Sequence, residues 1–363
     1  MEDFASRALS GEVNWHMVRS TIEAVGAYLP TREVTTAELM SRLAVDAPLD
    51  LEKVSGVVAR RVRGRDAEGA EEDSFTIALA AARSALANSR YAAADLDVII
   101  SCSITRTRGE DFCFEPSFAL MLRNTLGATR AIHFDVSNAC AGMLTGVLLL
   151  DRMIRAGAVR RGLVVSGECI TPISDTAVRE ISQKYDPQFA SLTVGDAGAA
   201  VLLDGTDGPG LDYVELNTSA AFAKLCLGMP SDQGPGVALY TDNRAMHNES
   251  RYLLWTSRQR EFLAERGSSF TAEGYDYLIH HQFSGPAVEL IDKIAEREFD
   301  SVMPPKLAVL DKYGNTASTS HFVVLHDALR QGLIAPGSKV LLVPAASGVV
   351  AGFLSVTIGD LRV

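Results

Sequence analysis

The sequence predicts an α/β fold made of two related halves, and three patterns carry that prediction. First, short continuous apolar runs such as residues 96–103 (LDVIISCS) and 162–167 read as strands buried on both faces. Second, the pattern restarts. Residues 155–167 (RAGAVRRGLVVSG) are echoed by 330–345 (RQGLIAPGSKVLLVPA), each a helix end, a glycine, a short turn and a buried strand. Each is followed by a Gly-containing apolar strand, 195–203 and 352–358. Third, residues 131–157 (AIHFDVSNACAGMLTGVLLLDRMIRAG) pass from strand through a tight polar corner into a long apolar helix. The restart places the join near residues 203–210, giving an N-terminal half over 1–205 and a C-terminal half over 206–363. Ligand chemistry is expected between them, where loops from both converge.

Taken in order, residues 1–14 read as a loose leader and 17–25 as the first strand, turned by Gly26 and Pro30. A short helix over 36–43 starts at Thr35 or Thr36. Residues 73–89 form an Ala-rich amphipathic helix, and 105–114 a turn segment leading through Pro116 into a helix ending near Leu126. Within 131–157, Ile132, Phe134 and Val136 alternate, Ser137-Asn138-Ala139 turn the corner, and Met143, Leu144, Val147, Leu148, Met153 and Ile154 recur at helical spacing. An excursion over 171–189 precedes the last strand of the first half. In the second half, 277–280 repeats the run-into-loop logic of 96–101. Residues 225–250, rich in Gly, Asp and Asn, read as an insertion over the cleft.

With 363 residues, 47% of them hydrophobic, the chain suffices for two core-building units or one large α/β body. A net charge of −11 argues against nucleic acid as the main partner. Five cysteines without paired spacing give neither a disulfide framework nor a zinc cluster, so a reducing cytoplasm is expected. The start is acidic, without a signal sequence, and no apolar run reaches membrane-spanning length, so no membrane is expected either. Arg60, Arg61, Arg63 and Arg65 form a basic run that reads equally as a local patch or a solvated edge.

The chemistry centres on Cys140. Unpaired N–H groups at a helix start carry partial positive charge, which favours thiolate, the form that attacks carbonyls. Cys140 is therefore expected to accept an acyl group, whereas Cys102, Cys113, Cys169 and Cys226 read as structural. The second half supplies His280-His281-Gln282 and Gly314-Asn315 at the ends of apolar runs. An imidazole handles protons, and an Asn amide is a fixed neutral donor for a developing oxyanion. His281 is favoured over His280, which strand alternation turns into packing. His16, His133, His247, His321 and His326 are assigned to structure or surface.

DVSNACAGM, HHQFSGP, YGNTAST and AASGVVAGF, in that order, resemble the thiolase superfamily, in the branch of β-ketoacyl-ACP synthase III-like condensing enzymes. The resemblance runs from about residue 22 onward. It implies a thiolase-like five-layer α-β-α-β-α fold of two duplicated halves, a homodimer, and an acyl-Cys intermediate resolved by Claisen condensation. The substrates implied are acyl-CoA or acyl carrier protein thioesters, with CoA or phosphopantetheine as substrate carrier and no other cofactor and no metal. The matching positions are Cys140, His281 and Asn315, with backbone N–H groups of Cys140 and Ser347 as the oxyanion hole. Glu115 falls where the head-to-head condensing branch of olefin biosynthesis carries a glutamate acting across the dimer interface. Ala223-Lys224-Leu225-Cys226 and Val165-Ser166-Gly167-Glu168 are similar to that branch, and enzymes joining polyketide chains resemble it too. A malonyl donor makes its carbanion by losing CO2; an ordinary acyl thioester needs a base, and a carboxylate in a dry pocket suits that role. A helix-starting acid before Pro116 accounts for Glu115 equally well. The Trp and Arg pattern that grips the CoA adenine in the housekeeping enzyme is absent, Trp15 and Trp255 lying elsewhere. Arg60, Arg61 and Arg63 are the expected entrance for CoA or an acidic carrier protein. Transfer of the acyl group to an alcohol or amine is the alternative. A silent partner subunit is disfavoured by the retention of all three site residues.

Overall fold

The computed structural model describes residues 19–45, 50–183, 185–206 and 208–363. The leader and the first two residues of the expected opening strand lie outside them. Two sheets dominate. Numbering only their strands, the first sheet holds β1 (Arg19–Tyr28), β2 (Val98–Ser101), β3 (Ile132–Asp135), β4 (Arg161–Glu168) and β5 (Ala197–Thr206), in the order β1-β5-β4-β2-β3. The second holds β6 (Leu211–Thr218), β7 (Tyr277–His280), β8 (Lys339–Val343) and β9 (Val350–Thr357), in the order β6-β9-β8-β7. The pairings match one for one. β1 with β5 and β4 with β5 are antiparallel, as are β6 with β9 and β8 with β9; β2 with β4 and β7 with β8 are parallel. Beyond β7, Leu278 bridges Lys306 in parallel, where the first sheet has β3.

Helices fill three layers. α1 (Ser74–Asn88) and α2 (Phe118–Leu126) cover the outer face of the first sheet. The approach of α1 depends on glycine: a Cβ on Gly26 would come 2.2 Å from Ala85 N, and one on Gly167 would come 2.1 Å from Ser74 O. Asp73 caps α1, accepting from Thr76 N at 2.8 Å while Thr76 Oγ1 accepts from Asp73 N at 2.9 Å. α3 (Gly142–Arg155) and α7 (Ser320–Arg330) lie between the sheets, in one core with Val25, Ile100, Val201, Leu342 and Val356. Leu150 in that layer is fully buried, and truncating it to Ala should cost about 2–5 kcal/mol. α5 (Glu249–Glu265) and α6 (Gly285–Phe299) cover the outer face of the second sheet, over Tyr213, Leu278, Leu341 and Phe353. The arrangement is the expected five-layer α-β-α-β-α.

The insertion over 225–250 is a hairpin, Cys226–Pro230 paired with Val237–Thr241, and a short helix, Asn243–Met246. The excursion over 171–189 contains α4 (Thr171–Glu180) and the start of a 3-10 segment, Pro187–Thr193.

Candidate active site

β3 delivers the chain to an elbow. Ala139 sits at φ 46°, a left-handed conformation that costs a non-glycine residue about 1–2 kcal/mol. Ala139–Ala141 form a 3-10 turn, and α3 follows. Asn138 Nδ2 donates to Thr145 Oγ1 at 2.8 Å, tying the corner to the helix. Small residues let α3 lie on the end of β2: a Cβ on Gly142 would come 2.9 Å from Cys102 O. Cys140 is thereby held at the mouth of α3, half-buried. One side packs against Leu216, Ala346 and Val350, the other against Ile170, Val194 and Ala317.

The backbone N–H groups of Ser347 and of Cys140 itself favour the charged form of the Cys140 sulfur. The expected drift toward thiolate does not follow. Burial pushes the Cys140 thiol up to about 12, with Cys226 and Glu168 adding to the rise and the two N–H groups opposing it. A helix start contributes roughly half a charge, which desolvation of the sulfur outweighs. Cys140 rests as a thiol.

The second half closes around this sulfur. Asn315 is pinned by its backbone: its N–H donates to Thr193 O at 2.9 Å and its C=O accepts from Gly195 N at 3.0 Å. Its side-chain oxygen accepts from Ala317 N at 3.0 Å, leaving the amide NH2 as the group free to donate. Gly314 makes this possible, with φ 66° and no room for a Cβ, which would come 2.6 Å from Thr193 O. Asn315 and Cys140 thus share the walls Val194 and Ala317.

His281 follows β7, and its N–H donates to Val343 O at 3.0 Å. Its ring stacks between Phe283, 5.9 Å away, and His321, 5.8 Å away. Burial pushes His281 down to about 3, helped by His321, and pushes His321 down to about 4. Both are neutral imidazoles at physiological pH. His280 is buried with its Nε2 on Asp292 Oδ1 at 2.9 Å, and Lys306 Nζ reaches the other carboxylate oxygen at 2.8 Å. Burial opposes ionisation of Asp292, but His280 and Lys306 outweigh it and hold the carboxyl below its ordinary value.

Three contributors were given no role at the site by the sequence reading, although Glu168 lay in a segment it singled out. His321, assigned there to structure or surface, is buried against His281; its place in the first turn of the helix after YGNTAST was the available signal. Cys226, assigned to structure, is half-buried at the hairpin base and accepts from Ser347 Oγ at 3.0 Å. Glu168, fully buried, accepts from Ile104 N, Thr105 N, Ser166 Oγ and Ser318 Oγ. Burial raises its pKa against those donors.

Glu115 lies apart from this cluster on an exposed segment, with no hydrogen bond or ion pair among the described residues. Phe112 and Phe114 beside it are 47% and 78% exposed. The expected arginine entrance is corrected. Side chains alternate along Ala59–Val62, so the run does not share a face. Arg60 is 1% exposed and donates to Leu192 O at 2.9 Å, out of reach of a carrier protein. Arg61 turns to Thr31 O and Glu33, and Arg63 to Glu110.

Residues 134–220 match the family model of 3-oxoacyl-[acyl-carrier-protein] synthase III, and residues 266–358 match its C-terminal counterpart. The chain is 29% identical over 345 residues to a β-ketoacyl-[acyl-carrier-protein] synthase III of Granulibacter bethesdensis, covering 93% of this chain and 98% of that one. It is 27% identical over 342 residues to the protein of the same name from Acidiphilium cryptum, with the same coverage, 93% and 98%. Among solved structures, 3-oxoacyl-(acyl carrier protein) synthase III of Pseudomonas aeruginosa superposes with a TM-score of 0.77 at 21% identity, covering 95% of this chain and 100% of that one. OleA of Xanthomonas campestris gives 0.78 at 21%, covering 94% and 100%. The priming β-ketosynthase of a polyketide biosynthetic pathway gives 0.78 at 22%, covering 95% and 97%. With the duplicated five-layer fold and the cysteine elbow, these likenesses make the chain a thiolase-superfamily member of the β-ketoacyl-ACP synthase III kind, an acyl-transferring condensing enzyme.

Proposed function

We propose that the enzyme joins two acyl thioesters, carried by CoA or acyl carrier protein, through an acyl-Cys140 intermediate and a Claisen condensation. The observation that carries this reading is the half-buried Cys140 at the elbow, walled by Val194 and Ala317, the same two residues that Asn315 meets through its bridge to Val194 and its bond from Ala317 N; the Ser347 and Cys140 N–H groups are the proposed donors to the tetrahedral oxyanion. Cys140 Sγ attacks the first thioester carbonyl. The new C–S bond forms, the carrier's C–S bond breaks, and the carrier thiol leaves with the cysteine proton. Because Cys140 rests protonated, deprotonation accompanies attack, with the neutral His281 imidazole as the proton handler.

The second thioester then loses CO2 or an α-proton. Its enolate oxygen accepts from the Asn315 amide and His281, and its carbon attacks the acyl-cysteine. The C–S bond to Cys140 breaks, giving a 3-oxo thioester and a thiolate, which regains its proton from the base that took the α-proton or, after CO2 loss, from solvent. Residues 1–205 supply the nucleophile in this scheme, and 206–363 the imidazole and carboxamide. No group beyond the thioester carriers is required.

Glu115 is the proposed base for a non-malonyl donor, acting in the partner subunit of a homodimer. Exposed Phe112 and Phe114 beside it support a covered interface there, since apolar rings grouped at a loop tip commonly mark a contact surface. A reducing, cytoplasmic setting suits five free thiols, Cys102, Cys113, Cys140, Cys169 and Cys226.

Intact-mass measurement after incubation with acyl thioesters tests the first step. One acyl adduct should appear on the wild-type chain and none on Cys140→Ala; an adduct on the variant overturns the assignment. Glu115→Gln should lose condensation with non-malonyl donors while keeping the malonyl reaction. Full activity with both discards the base.

A further inference from the structure

A polar cavity of about 90 Å³ lies behind the Asn315 loop. Its floor is one face of the ribbon Arg32–Thr35 with Ala59–Val62, where Val34 pairs with Arg60 and Arg32 with Val62. The opposite wall is the first turn of the helix Thr171–Glu180, presenting Thr171, Ser174 and Asp175, with Val194 and Arg42 completing it. The volume is several times the roughly 10–15 Å³ one water needs.

The charges facing this space do not balance among the described residues. Arg32, Arg42 and Arg60 all line it, against the single carboxylate of Asp175, which is taken by Arg42 Nη2 at 2.8 Å. Asp196 nearby is saturated by Ile170 N, Thr171 N, Thr171 Oγ1 and Arg63 N. Arg60 is 1% exposed, and its Nε and Nη1 have no hydrogen-bond partner. A guanidinium does not deprotonate to escape burial, so its unspent donors call for an acceptor with negative charge.

We propose that this cavity binds a phosphate-sized oxyanion, with Arg60 as the floor, Arg32 and Arg42 as the exposed rim, and Ser174 as a neutral donor. Planar guanidinium forks match tetrahedral phosphate oxygens in pairs. The bound anion braces the active site from behind. Arg60 holds Leu192 O at 2.9 Å, two residues before Val194, and its Cβ lies 3.3 Å from where a Gly314 Cβ would stand. The oxyanion is free phosphate, since Arg60 is closed to the thioester carriers.

Equilibrium dialysis of the whole protein against radiolabelled inorganic phosphate, at constant ionic strength, tests this. Wild type should bind one phosphate per chain saturably. Arg60→Met should weaken binding by about tenfold or more, and Arg32→Ala, on the exposed rim, by roughly threefold. Should Arg60→Met fail to fold, Arg32→Ala and Ser174→Ala decide alone. Absence of saturable binding, or wild-type affinity in the variants that fold, overturns the proposal. Displacement of phosphate by CoA overturns the assignment to the free anion, and simultaneous binding supports it. Binding is read without turnover, so its failure leaves the acyl-enzyme reading standing.

Discussion

The two elbows of this enzyme use one backbone device for different ends. In the first half, Ala139 at φ 46° opens a three-residue 3-10 turn, Ala139–Ala141, that leads into α3. In the second, Ala317 at φ 51° opens Ala317–Thr319, which leads into α7. Cys140 and Ser318 occupy the same middle position. Cys140 stays half-buried, packed against Val194, Ala317 and Ala346. Ser318 is 1% exposed and spends its hydroxyl on Glu168, beside Ser166. Three residues on, the first-half helix carries Met143 where the second carries His321, and the residues just past the strand ends are Cys102 and His281 in turn. The elbow presents a side chain; the opposing half determines what that side chain does.

The largest expected effect comes from exchanging the two middle residues' fates. Cys140→Ala should reduce turnover by about 10³-fold or more and abolish the acyl adduct, whereas Ser318→Ala should retain the adduct by mass. Loss of acylation in a folded Ser318→Ala protein would mean the two elbows act as one unit.

Next comes the donor on the second elbow. Asn315→Ala should lower condensation by roughly 10²-fold while acylation of Cys140 persists, measured as single-turnover acylation against product formation. Equal loss of both steps would place Asn315 in the first reaction instead.

The imidazoles of the second half should make stability depend on pH. His281 and His321 have folded-state pKa values of about 3 and about 4, below the ordinary 6.5. The unfolded chain therefore binds protons that the folded one does not. Their stabilisation is full above pH 6.5 and is lost as pH falls toward 4, with a slope of up to about 1.4 kcal/mol per unit for each ring. Denaturant unfolding at stepped pH checks this, and His321→Gln should remove one ring's share. A slope unchanged by that substitution would reassign the dependence.

The smallest effect tests the strain itself. Ala139→Gly and Ala317→Gly should each stabilise the protein by up to about 1 kcal/mol or be neutral, because glycine adopts positive φ freely but loses more entropy on folding. Val at either position should destabilise by more than that. A destabilising glycine would show that the methyl groups, which pack beside Cys140, matter more than the backbone strain.

Much of this was legible in the residues. The strand over 277–280 stands as read, α1 differs from 73–89 only at its caps, and the corner before Cys140 is where Ser137-Asn138-Ala139 placed it. The echo of 155–167 in 330–345 pointed to two related α/β halves, whose matching strand order the structure supplies. Such features come from periodicity and turn chemistry, which act over a few residues and are written locally. Tertiary structure alone settled the rest. It turned Arg60 inward beside Arg61, raised Cys140 instead of lowering it, brought Cys226 to Ser347, and stacked His321 on His281. Burial and electrostatic environment depend on which distant surfaces meet, and no local spacing encodes that meeting.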